Sequence, residues 1–328
     1  MENFIPINLH ETRDFSKKVS VTFEFLRQNF KPLVKSILFI AGPPVLIASL
    51  FMGSFFRDLI GASLNAGRTG ANPFESFFAS PIFFAQIILM VVFFLLATVA
   101  TIATINNYVI LYDEQQTNKV SVTNVWARVR ETFWMYLGTT ILFYIVGIAA
   151  YALMVSLMFG MAMASPFLLF FGVIGVVCGI TYLLVSSSLV FIIRAYERIG
   201  FFEALSRSFY LVRGKWWSTL GITFVLYLIA GVISYIFMIP GYIMTIISSL
   251  HQAEVGDFGE PSANQSTIIV ILFTLYYVAQ MLLYSLPNLG IAFQYFNLVE
   301  RKEATGLISQ IDSIGQPAAP ATNADEHY

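Results

Sequence analysis

Long, continuously apolar runs alternate along this chain with shorter segments in which apolar and charged residues recur three or four positions apart. Six runs, at about 33–56, 82–110, 134–159, 166–193, 217–249 and 268–296, reach the roughly 20 helical residues needed to cross a hydrocarbon core about 30 Å thick. They are rich in Leu, Ile, Val and Phe and lack the every-second-residue alternation of a membrane β-barrel. The pattern predicts an all-α membrane protein: six transmembrane helices in three helical hairpins, each associated with a cytoplasmic amphipathic helix.

Three segments supply the amphipathic signal. In the first, Phe15, Val19, Phe23, Leu26, Phe30 and Leu33 are spaced to form an apolar face, with Lys18, Glu24, Gln28 and Lys31 opposite. Residues 1–32 are therefore expected to form a helical segment at the bilayer surface. The second repeats Lys18–Thr22 letter for letter at Lys119–Thr123, and Arg27 and Arg128 follow at the same spacing. The third runs from Arg194 to Trp217, with Ile199, Phe202, Leu205, Phe209, Val212 and Trp216 on one face and Glu203, Ser206, Arg207, Tyr210 and Arg213 on the other. Gly214 is placed to end that helix, and Trp216 with Trp217 to mark the membrane interface. The run exits LYDEQ, RAYERI and NLVERK align Glu114, Glu197 and Glu300, which points to a repeated two-span unit.

Prolines interrupt the runs at Pro43 and Pro44, at Pro240 before Gly241, and at Pro287 before Asn288. Proline removes a backbone donor and clashes with the preceding turn, so these positions are expected helix breaks. Carbonyls freed there must face protein or water. Asn106 and Asn107, near the end of the second run, are suited to bonding a neighbouring helix.

Composition and charge turn this pattern into a topology. The chain is 57% apolar and 11% charged, outside the range of ordinary soluble domains. Of its 18 lysines and arginines, all but Arg57 and Arg68 precede or enter the first run or follow the second, fourth or sixth. By the positive-inside rule both termini are cytoplasmic. The 250–267 loop, with Glu254, Asp257 and Glu260 and no base, lies outside. No apolar stretch with a cleavage site opens the chain, so no signal peptide is expected. The organisation is then a surface segment (1–32), a six-span domain (33–310) and a disordered Pro/Ala-rich tail (311–328).

Candidate chemistry is sparse. His10, His251 and His327 are scattered, Cys178 is alone, and no Walker loop, Gly-x-Ser-x-Gly elbow or carboxylate pair within a span is present. No catalytic residue, metal or cofactor is expected, and nucleic acid is not a partner. Ionisable groups stay out of the spans, which removes the usual residues of proton-coupled transport. The expectation is a non-enzymatic scaffold, accessory subunit or lipid-environment factor; the alternative is a permease or lipid translocator built on the broken helices. The expected partners are membrane lipids, anionic ones included, and a membrane protein. The candidate contact residues are Arg198, Glu203, Ser206, Arg207, Tyr210, Arg213 and Lys215.

The stretch FEALSRSFYLVRGKWW, through Ala204, Ser208, Gly214, Lys215 and Trp216, resembles a bacterial integral-membrane family. That family includes the membrane domain of some glycerophosphoryl diester phosphodiesterases. Glu300, Arg301, Glu303 and Gly306 match its charged exit after the last span. The resemblance implies a multi-pass protein of the bacterial cytoplasmic (inner) membrane. No phosphodiesterase domain follows here, so the enzymatic association does not carry over.

Overall fold

The structure, a computed structural model, describes residues 5–69, 81–255, 263–304 and Ile308. The described residues are helices and short connections. In chain order the helices are α1 (Phe15–Ile40), α2 (Gly42–Thr69), α3 (Pro81–Gln115), α4 (Val122–Ala164), α5 (Pro166–Ser187), α6 (Val190–Tyr196), α7 (Phe201–Val212), α8 (Trp216–Val255), α9 (Ala263–Leu283) and α10 (Ser285–Glu303). Five stretches, Phe83–Gln115, Val122–Ala164, Pro166–Tyr196, Trp216–Ile247 and Thr267–Glu303, are long and apolar enough to cross a membrane. The α1/α2 pair, bent by 61°, supplies a sixth. The chain is thus built as a multi-pass membrane protein. The expected tail at 311–328, Gly306, and the Asp257 and Glu260 part of the acidic loop lie outside the described residues.

The helix breaks fall only partly where proline chemistry places them. The first is at Ala41, and Gly42, Pro43 and Pro44 open α2 instead of interrupting a helix. In a first turn the missing proline N–H has no intrahelical partner to lose. Pro287 likewise lies in the first turn of α10; the break precedes it at Tyr284, and Asn288 donates its side-chain N–H to the Tyr284 carbonyl at 2.7 Å. At Pro240 and Gly241 the expected break is corrected: α8 runs through both. One lost backbone bond is tolerated in a 40-residue helix whose flanking turns stay bonded. A further break, unmarked by proline, separates α5 from α6 at Ser188 and Leu189.

Of the three amphipathic segments, only the third is a free-standing short helix, α7. The first runs into the 26-residue α1, and the second is the opening of the 43-residue α4. Ser121 caps α4 by accepting the Asn124 N–H, and Ser165 closes the α4–α5 turn by accepting that of Phe167. α2 packs on α3 and α9, α4 on α5, and α8 on α9 and α10. The expected interhelical role of Asn107 is met, since its amide donates to Thr132 of α4 at 2.8 Å.

The core is concentrated at one end, where α1, α3, α6 and α10 meet around fully buried Phe25, Tyr108, Tyr112, Phe293 and Phe296. Most of the chain's bases also gather there, so it is called the basic end. Gly290 of α10 faces α8, and a Cβ there would collide with the side chain of buried Leu226. The three aligned exits share a backbone feature. Gln116, Arg198 and Ala304, the non-glycine residues of positive φ among those described, follow the aligned glutamates Glu114, Glu197 and Glu300 by two, one and four positions. A left-handed residue is a common way to stop a helix, although glycine normally supplies it. Gly214, at φ +83°, stops α7 as its sequence position predicts.

Candidate functional site

At the basic end, residues 7–13 form a strap across the ends of α3 and α10. The Tyr112 hydroxyl accepts the Ile7 N–H at 2.7 Å, Leu9 is buried, and Asn297 donates to the Arg13 carbonyl at 3.2 Å. The buried Arg13 guanidinium holds the strap's own Asn8 carbonyl and Glu11 carboxylate. His10 sets its Nε2 3.1 Å from Asp113 Oδ2 of α3, and the Tyr196 hydroxyl of α6 donates to the same oxygen at 3.1 Å. The ring of Phe296, on α10, meets the imidazole edge-on at 5.0 Å. The hydrogen bond to Asp113, helped by the charges of Asp113 and Glu300, raises the His10 pKa above its ordinary value against the opposing effect of burial. The strap therefore joins the ends of α3 and α6 to α10 through one imidazole.

A second network locks α7 beneath those exits. Arg207 donates to Glu197 and, through both terminal nitrogens, to Glu303; the Tyr295 hydroxyl adds a bond to Glu197 at 2.9 Å. The Glu303 hydrogen bond is the main cause holding the Arg207 pKa above its usual range. The same kind of pair joins Glu114 to Arg128 at 2.7 Å. Two of the three aligned exit glutamates thus accept an arginine from the segment that follows them. Inside the core, Lys18 is buried and donates to Gln294 Oε1 and Ser218 Oγ, both at 2.8 Å, with no carboxylate among those partners.

The seven contact residues predicted from sequence therefore divide. Glu203 accepts the Gly200 N–H and caps α7, Arg207 is the clamp just described, and Tyr210 receives Lys302 both at its carbonyl and over its ring. Arg198, Ser206, Arg213 and Lys215 are exposed around the same helix. The His10 group was not legible in advance, because its members lie about a hundred residues apart and none belongs to a local motif. The alignment of the exits was the one signal that these helix ends are equivalent.

Farther from the basic end, a cavity of about 370 Å³ lies among α2, α3, α4, α6, α8, α9 and α10. Its wall is mostly apolar and includes no charged residue. Ser49, Thr98, Thr101 and Thr140 spend their hydroxyl protons on carbonyls of their own helices, which leaves lone pairs toward a ligand. Tyr144, Tyr277 and Gln280 add groups able to donate. A volume of this order suits a small amphiphile or the polar end of a larger one. Compared with known protein families, curated proteins and solved structures, the chain has no match.

Proposed function

We propose that the chain is a non-enzymatic, six-span protein of the bacterial cytoplasmic membrane, with both termini cytoplasmic, that holds an uncharged amphiphile in the open cavity among its helices. It would act as a lipid-environment factor and as a scaffold or accessory subunit for a membrane-protein partner. The cavity carries this reading: an apolar wall with hydroxyls and two carboxamides, and no charge among the described residues, complements a neutral lipid bearing hydroxyl or ester oxygens. The orientation follows from placing the basic end in the cytoplasm, and the bacterial setting from the resemblance carried by Ala204, Ser208, Gly214, Lys215 and Trp216.

A photoreactive diacylglycerol in nanodiscs tests the cavity. The wild-type chain should be labelled on α4 or α9, and Gln280→Leu combined with Tyr277→Phe should cut labelling about 30-fold, as expected for two hydrogen bonds worth about 1 kcal/mol each. Labelling spread evenly over the outer surface would remove the reading.

One observation favours the permease or translocator alternative. Two breaks adjoin the cavity: Val45 follows the Ala41 break, and Tyr284 is itself a break residue. Reconstituted liposomes separate the readings, because a translocator would move labelled lipid or solute between leaflets at a rate that Gln280→Leu lowers.

A further inference from the structure

The arginine that Glu114 and Glu197 hold in the second and third segments has a counterpart in Arg27 of the first, but the ion pair does not. Lys119–Thr123 repeats Lys18–Thr22, so Arg27 stands where Arg128 stands. Arg128 is paired with Glu114, and Arg207 with Glu197 and Glu303. No carboxylate among the described residues takes that place beside Arg27, and Glu24, one turn earlier, is bonded to Gln28. Lys31, one turn further, and Lys119, in the connection before α4, also lack an ion pair among the described residues.

These three cations share one groove with Asn118 and the rings of Phe23 and Phe30, which are 39% and 55% exposed. Cations together with uncovered aromatics form the pattern of a surface that meets both a headgroup and its acyl chains. Water alone would favour the charges and penalise the rings. We propose that this groove, between α1 and the α3–α4 connection, is a binding site for an anionic phospholipid of the leaflet it faces. Arg27, Lys31 and Lys119 hold the phosphate, Asn118 donates a neutral hydrogen bond, and Phe23 and Phe30 lie along the acyl chains. The site is separate from the cavity among the helices and takes lipid of the opposite charge class. The contact residues around α7 are not part of it: none of them lines this groove, and Arg207, the base at the centre of that helix, is neutralised within the fold.

Native mass spectrometry of the full chain, purified with equimolar phosphatidylglycerol and phosphatidylcholine, tests the site. Wild type should retain phosphatidylglycerol preferentially. Arg27→Gln, Lys31→Gln and Lys119→Gln together should weaken that retention on the order of 100-fold, about five-fold per charge. The control with Lys17→Gln, Lys35→Gln and Arg130→Gln, all exposed and outside the groove, removes equal charge and should leave retention unchanged. Equal losses in both triple variants would reduce the effect to general charge density and overturn the proposal, as would absence of preference in wild type. Release of the lipid by millimolar inorganic phosphate would overturn the lipid assignment in favour of a free anion. Unchanged melting temperatures in both variants would establish that folding is not the variable.

Discussion

α1 and α7 occupy comparable places at the basic end, and each has three faces where the sequence suggested two. In α1 the buried stripe runs through Lys18, Thr22, Phe25 and Asn29; in α7 it runs through Phe201, Ala204, Ser208 and Leu211. Beside each stripe is an apolar but uncovered sector, with Phe15, Phe23 and Phe30 on α1 and Phe202 on α7. The charged sector follows. The inward face of each helix is thus partly polar, although it carries Phe25 or Phe201, while some large apolar side chains of each helix stay uncovered. The two helices differ in wiring: Arg207 of α7 is bound to two carboxylates, whereas Arg27 and Lys31 of α1 have no ion pair among the described residues. Arg207 fastens α7 as a clamp, and Arg27 and Lys31 keep their charges for something outside the chain.

The largest effect should come from the inward face of α7. Ser208 is fully buried, and its hydroxyl donates to the Ser186 carbonyl at 2.6 Å, so α7 approaches α5 at a small residue. Ser208→Leu adds side-chain volume where none is free and leaves that carbonyl without its side-chain donor. It should cost at least about 3 kcal/mol, visible as a large drop in thermal stability in detergent. Ser206→Leu, two positions away on the exposed face, should change stability by less than about 0.5 kcal/mol. Similar losses in the two variants would mean that the three-faced assignment is wrong.

A smaller difference should separate the two arginines. Arg207→Ala leaves the partly buried Glu197 and Glu303 without their cation and should cost roughly 1–3 kcal/mol, below the full penalty of a buried pair because all three side chains are 21–30% exposed. Arg27→Ala removes no ion pair and should leave the melting temperature within error. If Arg27→Ala destabilised as much, the two segments would be wired alike and the contrast would fail.

How far these helices could be read from sequence depends on what each signal measures. The apolar runs gave spans close to those observed, 166–193 against α5 and α6 for instance, because crossing a bilayer demands length and hydrophobicity in one continuous stretch. Gly214 was legible as a stop because glycine relieves a left-handed turn. The wheels were misread by about one position, since an apolar stripe marks distance from water and does not distinguish a protein core from lipid. Lys18 therefore was assigned to the polar face although Gln294 and Ser218 bury it. Pro240 misled for a related reason: the loss of one donor is a local cost, and packing along a long helix decides whether the backbone yields. His10 carried no local signal at all.

The smallest effect should be a pH dependence that distinguishes the strap from both helices. His10 faces Asp113, Tyr196, Phe296 and the charge of Glu300, and its pKa is raised in the folded chain. Folding therefore favours the protonated ring. The stabilisation is complete below the ordinary value of 6.5 and is lost as pH rises through the higher folded value. Hydrogen exchange at the Ile7 amide, bonded to Tyr112, should report it once rates are corrected for intrinsic pH dependence. Protection should fall modestly above 6.5, and His10→Gln should flatten the profile. The α7 amides should not follow, because the Arg207–Glu303 pair holds the arginine pKa above its ordinary value and the Glu303 pKa below its own, far from that range. Protection at Ile7 that is level across neutral pH in wild type would show that the strap is held by Tyr112, Arg13 and Asn297 alone, with the imidazole contributing no charge-dependent bond.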